Sequence, residues 1–153
     1  MQNHTSRQRN FSERQADESD FDFAWALYVA STRPLLTMLG NWNEANIKQR
    51  FRKSFNAGQA RIICSGATGI GWIQVSESAL GFHLHQIHID QRFRNRGIGT
   101  ELISKLLAFA NEKALPVSLN VIRNNPAKRL YERLGFQVID EDDEKFHMQL
   151  LPG

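Results

Sequence analysis

Residues 82–112 limit the possible folds more than any other part of the chain. An apolar strand-like run from Phe82 to Asp90 enters a basic turn, and Ile98 to Glu112 follows as the clearest helix in the sequence. Ile98, Leu102, Ile103, Leu106, Phe109 and Ala110 fall on one broad face of that helix, and such a face must be buried against something. A strand feeding directly into a one-faced helix calls for a sheet beneath it.

The remaining segments supply that sheet. Phe11 to Ala16 reads as a short first strand. Asp17 to Asp20 offers several N-caps for a helix carrying Phe21, Ala24, Trp25, Tyr28 and Val29, which is expected to end or kink near Ser31–Arg33 because Pro34 follows. A second helix opens at Asn43-Glu44 and runs to Phe55, with Ile47, Phe51 and Phe55 on one stripe. Gln59–Cys64 and Ile70–Val75 read as strands joined by a glycine-rich turn, and Val117–Ile122 as a strand after Pro116. Pro126–Leu134 reads as a short helix stopped by Gly135, and Phe136–Ile139 with Phe146–Leu150 as a closing antiparallel pair. The order is strand, two helices, three consecutive strands, helix, strand, helix, two strands. It describes an α/β (α+β) domain of three layers, not a doubly wound sheet.

The turn before the long helix has the chemistry of an anion site. In Arg94-Asn95-Arg96-Gly97-Ile98-Gly99-Thr100, two glycines stand where a helix begins. Without side chains there, a ligand can approach backbone N–H groups that have no partner inside the helix and sit at its positive end. Arg92, Arg94 and Arg96 add charge. A nucleoside-triphosphate loop would need Gly-Lys-Ser/Thr, which is absent, and the dinucleotide fingerprint would need a third glycine where Leu102 stands. A purely structural turn explains the glycines alone; the arginines favour pyrophosphate.

Two further patterns bear on a site. Leu84 is out of phase with Ile87 and Ile89 on a period of two. If all three face the core helix, a β-bulge lies near His85-Gln86 and places His83 and His85 on the opposite face. The alternative is a regular strand with His83, His85, Ile87 and Ile89 on one side. Downstream, Asn125 suits an N-cap and Pro126 the first helical position, which frees Asn124 for another partner. Tyr131 shares a face with Ala127, Leu130 and Leu134 and points inward, either as a core tyrosine bonded to a carbonyl or as a proton donor in a cleft. Trp42, between the first two helices, reads either as an aromatic tip of a binding loop or as a ring folded over a helix end.

Together these residues resemble the GNAT superfamily of acyl-CoA-dependent N-acetyltransferases. Arg94-Asn95-Arg96-Gly97-Ile98-Gly99 is similar to its Gln/Arg-x-x-Gly-x-Gly/Ala motif, and Asn124, Ala127, Leu130, Tyr131, Gly135 and Phe136 to its later Asn-x-x-Ala-x-x-Leu-Tyr…Gly-Phe motif. The resemblance implies a central mixed, mostly antiparallel sheet of about seven strands with about four helices, and acetyl-CoA as co-substrate without a metal. It implies that amides from Arg94 to Thr100 (Asn95, Arg96, Gly97, Ile98 and Gly99 between them) hold the pyrophosphate. The pantetheine would lie along Ile87, His88 and Ile89, an amide near Ile89 would polarise the thioester, Asn124 would bond the pantetheine beside Ala127, and Lys128 would reach toward the phosphates. Tyr131 would protonate the departing thiolate. His83-Leu84-His85 also resembles the histidine pair of arylalkylamine N-acetyltransferases, which implies His83 and His85 as bases; Glu44 is the other candidate. The acceptor is expected to be a small-molecule or peptide amine held between residues 33–46 and 140–144. A non-catalytic acyl-CoA-binding or protein-interaction module of the same fold is the alternative.

Composition narrows the remaining classes. The chain has 153 residues and a formal charge of +3. That charge fits a nucleic-acid binder as well as a protein that grips a phosphorylated molecule, but the arginines cluster at one turn and the stacking aromatics of single-strand binders are missing, so nucleic acid is not expected. Cys64, the single cysteine, excludes an intramolecular disulfide and lies in an apolar run as a buried thiol. Residues 1–9 are expected to form a flexible arm and residues 10–153 one domain. MQNHTSRQRN has no apolar core for a secretory signal and no run is long enough to cross a bilayer, so a cytoplasmic location without membrane attachment is expected. A homodimer is plausible from family habit.

Overall fold

The computed structural model describes residues 11–153; the expected arm at residues 1–9 lies outside them. The elements are β1 (Ser12–Gln15), α1 (Phe21–Met38), α2 (Glu44–Ser54), β2 (Ala60–Ser65), β3 (Thr68–Ser78), β4 (Gly81–Ile89), α3 (Ile98–Glu112), β5 (Val117–Ile122), α4 (Ala127–Arg133), β6 (Gln137–Glu141) and β7 (Lys145–Leu150), with three short 3-10 turns. The strands form one sheet in the order β1-β2-β3-β4-β5-β7-β6. Every neighbouring pair is antiparallel except β4 and β5. The seven-stranded mixed sheet and four helices agree with the architecture expected from the sequence.

Two cores sandwich the sheet. Ile98, Leu102, Ile103 and Ala110 of α3 pack with Tyr131 of α4, Leu84, Leu119 and Met148 on one side. Phe21 and Ala24 of α1 pack with Phe51 of α2, Ile62 and Trp72 on the other. The phase slip in β4 is a bulge, as its apolar pattern predicts. Gln74 faces Gln86, but the next pair is Val75 with Leu84, so His85 is the extra residue.

Of the two expectations for α1, an end or a kink near Ser31–Arg33, the end is corrected. The helix continues to Met38 with Pro34 inside it. Proline removes the bond to the Ala30 carbonyl, but Ala30 and Pro34 are both exposed, so solvent can take that carbonyl. Thr32 and Leu36 remain buried on the core stripe, and their packing carries the helix through.

The sheet splits at its centre. β4 and β5 pair only at Phe82–Val117, His83–Ser118 and Leu84–Leu119. β5 then stays with β7 through Ile122–Lys145, while β4 stays with β3 through Ile89–Gly71. The divergence begins where the bulge falls, and a bulge re-aims its strand. Beyond Leu84, the edge of β4 that would pair with β5 is free of it. Gln74 fixes the wall above this gap: its buried side chain donates to the Ser54 carbonyl (3.0 Å) and accepts from the Asn56 N–H (3.2 Å), tying the end of α2 to β3.

Candidate active site

The gap between β4 and β5 opens into a cleft of about 340 Å³. His83 through His88 form one wall and Leu119 through Ile122 the other. Tyr28, Thr32, Leu36, Arg50 and Phe51 close it from α1 and α2, Tyr131 closes it from α4, and Glu144 and Lys145 lie at the turn before β7.

The bulge sets His83 and His85 side by side, with ring centroids 4.6 Å apart. The His83 Nδ1 lies 2.7 Å from Ser118 Oγ, which also reaches the Phe82 carbonyl at 3.5 Å. This network is satisfied when Ser118 donates to that carbonyl and His83 Nδ1–H donates to Ser118, leaving His83 Nε2 with a bare lone pair. The His85 Nε2 is taken by Ser76 Oγ at 2.7 Å. Burial lowers His83 below the ordinary histidine value, and the charges of His85 and His147 push the same way. Burial also lowers His85. Both rings are therefore neutral at neutral pH. His88 is a different kind of group: its Nε2–H donates to Gln86 Oε1 (2.6 Å), its ring packs against Tyr28 and Trp72, and burial, aided by Arg94, pushes it down to about 3. It is a fixed neutral wall.

Tyr131 is buried and lines the cleft. Among the described residues its hydroxyl has no hydrogen-bond partner, so it is not a core tyrosine tied to a carbonyl. Burial pushes it up to about 12, which keeps it protonated through the neutral range. Its position follows from the local sequence. Asn125 Oδ1 accepts from the Ala127 N–H (2.9 Å) and Pro126 leads into α4, so the helix starts with Tyr131 one turn in and facing the core.

The residues outside the cleft fit a coenzyme A molecule on two observations. Asn124 donates through Nδ2 to the Leu35 carbonyl (3.2 Å), while its Oδ1 is buried without a partner, an acceptor suited to a pantetheine amide. The start of α3 is open: Gly97 has φ +78° and a side chain on Gly97 or Gly99 would meet no atom within 4 Å. Among the described residues no side chain caps this helix, and its first internal bond is Glu101 N–H to the Gly97 carbonyl. The N–H groups of Ile98, Gly99 and Thr100 are thus unclaimed by the helix. Ile98 is buried and anchors that end in the core. Asn95 adopts φ +63° in the same turn.

The arginines divide differently from the simple cluster read in the sequence. Arg92 pairs with Asp90, Arg96 lies over the Phe93 ring, and Arg94 donates to the Ile89 carbonyl (3.1 Å) and Ser31 Oγ (3.2 Å), linking the glycine turn to the end of β4. Lys128 is held by Glu132 (2.9 Å) and lies over Phe146. Glu44 is the first residue of α2 and does not line the cleft; nor does Trp42, which stacks on Trp25 beneath Arg33. The expected acceptor segments do meet, because Asn41 Nδ2 donates to Glu144 Oε1 at 3.5 Å. Sequence reasoning missed Arg50 as a site residue. The signal was its spacing, three residues after Ile47 and one before Phe51, which puts it at the edge of the buried stripe.

Residues 36–152 match the family model for the acetyltransferase (GNAT) domain. A 73-residue segment is 38% identical to an uncharacterized N-acetyltransferase of Methanocaldococcus jannaschii; the match covers 46% of this chain and 32% of that protein, so the chain spans about a third of the curated relative it matches. The PaiA N-acetyltransferase of Thermoplasma acidophilum, crystallised with coenzyme A, superposes with a TM-score of 0.72 at 18% identity, covering 92% of this chain and 98% of that one. Arabidopsis thaliana Naa50, in complex with the bisubstrate analogue CoA-Ac-MVNAL, gives 0.63 at 15% identity over 92% and 98%. At these identities the two structures share the fold.

Proposed function

Because the chain belongs to the GNAT acetyltransferase family, we propose that it moves an acetyl group from acetyl-CoA to a primary amine by direct attack within a ternary complex. The observation that carries this reading is the split between β4 and β5, around which lie two neutral imidazoles and a tyrosine hydroxyl without a hydrogen-bond partner among the described residues. The coenzyme A in the PaiA structure and the CoA-Ac-MVNAL bisubstrate analogue in the Naa50 structure support the choice of co-substrate.

Acetyl-CoA supplies an activated acyl carbonyl and a sulfur leaving group. Of the Arg94–Thr100 turn, the Arg94 amide is taken by the Gln91 carbonyl, and the unclaimed amides of Ile98, Gly99 and Thr100 hold the pyrophosphate; the free edge of β4 at Ile87 to Ile89 receives the pantetheine, and Asn124 Oδ1 accepts from a pantetheine amide. An amide near Ile89 donates to the thioester oxygen as negative charge develops there. The amine arrives as ammonium and gives up two protons in all, one before attack and one as the amide forms. His83, through Nε2, takes a proton toward solvent, with His85 as its neighbour. Tyr131 delivers a proton to the sulfur as the C–S bond breaks and the N–C bond forms, and is itself restored from the proton released. The products are the N-acetyl amine, the thiol and one proton to solvent.

Thiol release from acetyl-CoA across a panel of amines tests the reaction, and the pH dependence tests the base. A base must be neutral to accept a proton, so kcat/KM rises as pH climbs through its pKa and then levels. With His83 lowered from its ordinary value, the acid limb is expected below pH ~6.5. His83→Gln is expected to cut kcat/KM at pH 7 by about 100-fold, with the deficit shrinking as pH approaches the amine's own pKa. A His83→Gln profile that superimposes on the wild type removes His83 from this role.

A further inference from the structure

The cleft is lined by unequal numbers of positive and negative side chains. The formally charged residues lining it are Arg50, Lys145 and Glu144. With the histidines neutral, the lining carries a net positive charge before any substrate enters. Among the described residues neither Arg50 nor Lys145 has a carboxylate partner, whereas Arg14, Arg61, Arg123 and Lys128 each pair with one. Arg50 is held over the cleft because Ile47 and Phe51, its helical neighbours, are buried. Glu144 lines the cleft from the turn before β7, and among the described residues its carboxylate has only the 3.5 Å contact from Asn41. Tyr28 lines the same cleft as Arg50 and Glu144; burial raises its hydroxyl, Arg50 opposes that shift and Glu144 adds to it.

Resting on the acetyl-transfer reading above, we infer that the acceptor is a small amine that also bears a carboxylate, with Arg50 holding the carboxylate and Glu144 the ammonium before deprotonation. A guanidinium offers a planar fork that a carboxylate matches with two hydrogen bonds, an advantage over the single point charge of Lys145. A simple alkylamine leaves Arg50 uncompensated. A polyamine is worse served, since each extra ammonium meets Arg50 and Lys145. The cleft volume of about 340 Å³ must also take the thioester end, which favours a small acceptor.

The experiment pairs each amino acid with the amine that lacks its carboxylate: phenylalanine with phenethylamine, leucine with 3-methylbutylamine, and spermidine as the polyamine. Coenzyme A binding by calorimetry comes first; if the wild type binds none, the acetyl-transfer reading fails and this inference with it. Given binding, the wild type is expected to favour the amino acid of each pair by about tenfold or more in kcat/KM. Arg50→Ala is expected to drive that ratio toward one, and Arg50→Lys to retain part of it. Calorimetry of phenylalanine on the coenzyme-A-saturated protein gives a readout without turnover, and Arg50→Ala is expected to weaken it while coenzyme A still binds. Equal use of both members of a pair, preference for spermidine, a ratio unchanged by Arg50→Ala, or no acetylation of any amine by a protein that binds coenzyme A would each overturn the inference.

Discussion

Gly99→Glu is expected to stabilise the free protein slightly and to abolish coenzyme A binding. Gly99 lies in the first turn of α3, and a side chain there meets no atom within 4 Å. Replacing a helical glycine removes a conformational cost, and a carboxylate in the first turn suits the helix dipole; together these contribute about 0.5–1.5 kcal/mol. The same carboxylate stands at the open helix start proposed to hold the pyrophosphate. Like charges in contact cost several kcal/mol, so coenzyme A affinity is expected to fall by at least about 100-fold. Gly97 is a less clean site, because its φ of +78° strains any other residue and would mix folding with binding. Thermal unfolding and calorimetry together read the two opposite effects. Affinity within about tenfold of wild type would mean that the pyrophosphate lies elsewhere.

Tyr131→Phe is expected to separate function from stability. The side chain is buried, its hydroxyl is raised to about 12, and among the described residues that hydroxyl has no hydrogen-bond partner. Removing it deletes no hydrogen bond to the described residues, so stability is expected to stay within about 0.5 kcal/mol of wild type. Turnover with an identified amine is expected to fall by about 100-fold to 1,000-fold, the range for one positioned proton donor. The KM for acetyl-CoA is expected to stay within about twofold, since the lost interaction belongs to the departing sulfur and not to the bound ground state. Burial that raises the tyrosine also raises a thiol leaving into the same cleft, so the two remain matched as donor and acceptor. Normal turnover in Tyr131→Phe would assign the proton to solvent.

How much of this was legible in the chain differs from element to element. The bulge at His85 was readable because a period of two is strict, and one misplaced apolar residue can be absorbed only by an inserted one. The inward turn of Tyr131 was readable because Asn125 and Pro126 fix where α4 starts. Pro34 misled, because its local cost is real and only the burial of Thr32 and Leu36 overrides it. The divergence of β5 from β4 had no local signature: it depends on which neighbour each strand keeps, a property of the assembled sheet. The charges followed the same rule. A run of arginines before Gly97 reads as one cluster, yet Arg92 pairs with Asp90, Arg94 bonds Ser31 and Arg96 lies over Phe93. Arg50 and Glu144, 94 positions apart by their numbering, share a cleft that no spacing rule could reveal.

The most direct test of the central claim is a crystal structure of the protein with coenzyme A. The sulfur is expected within hydrogen-bond reach of the Tyr131 hydroxyl, about 3–3.5 Å for a thiol, with the pantetheine along Ile87 to Ile89, one of its amides donating to Asn124 Oδ1, and the pyrophosphate over residues 97–100. A coenzyme A whose sulfur lies outside the gap between β4 and β5 would contradict the account.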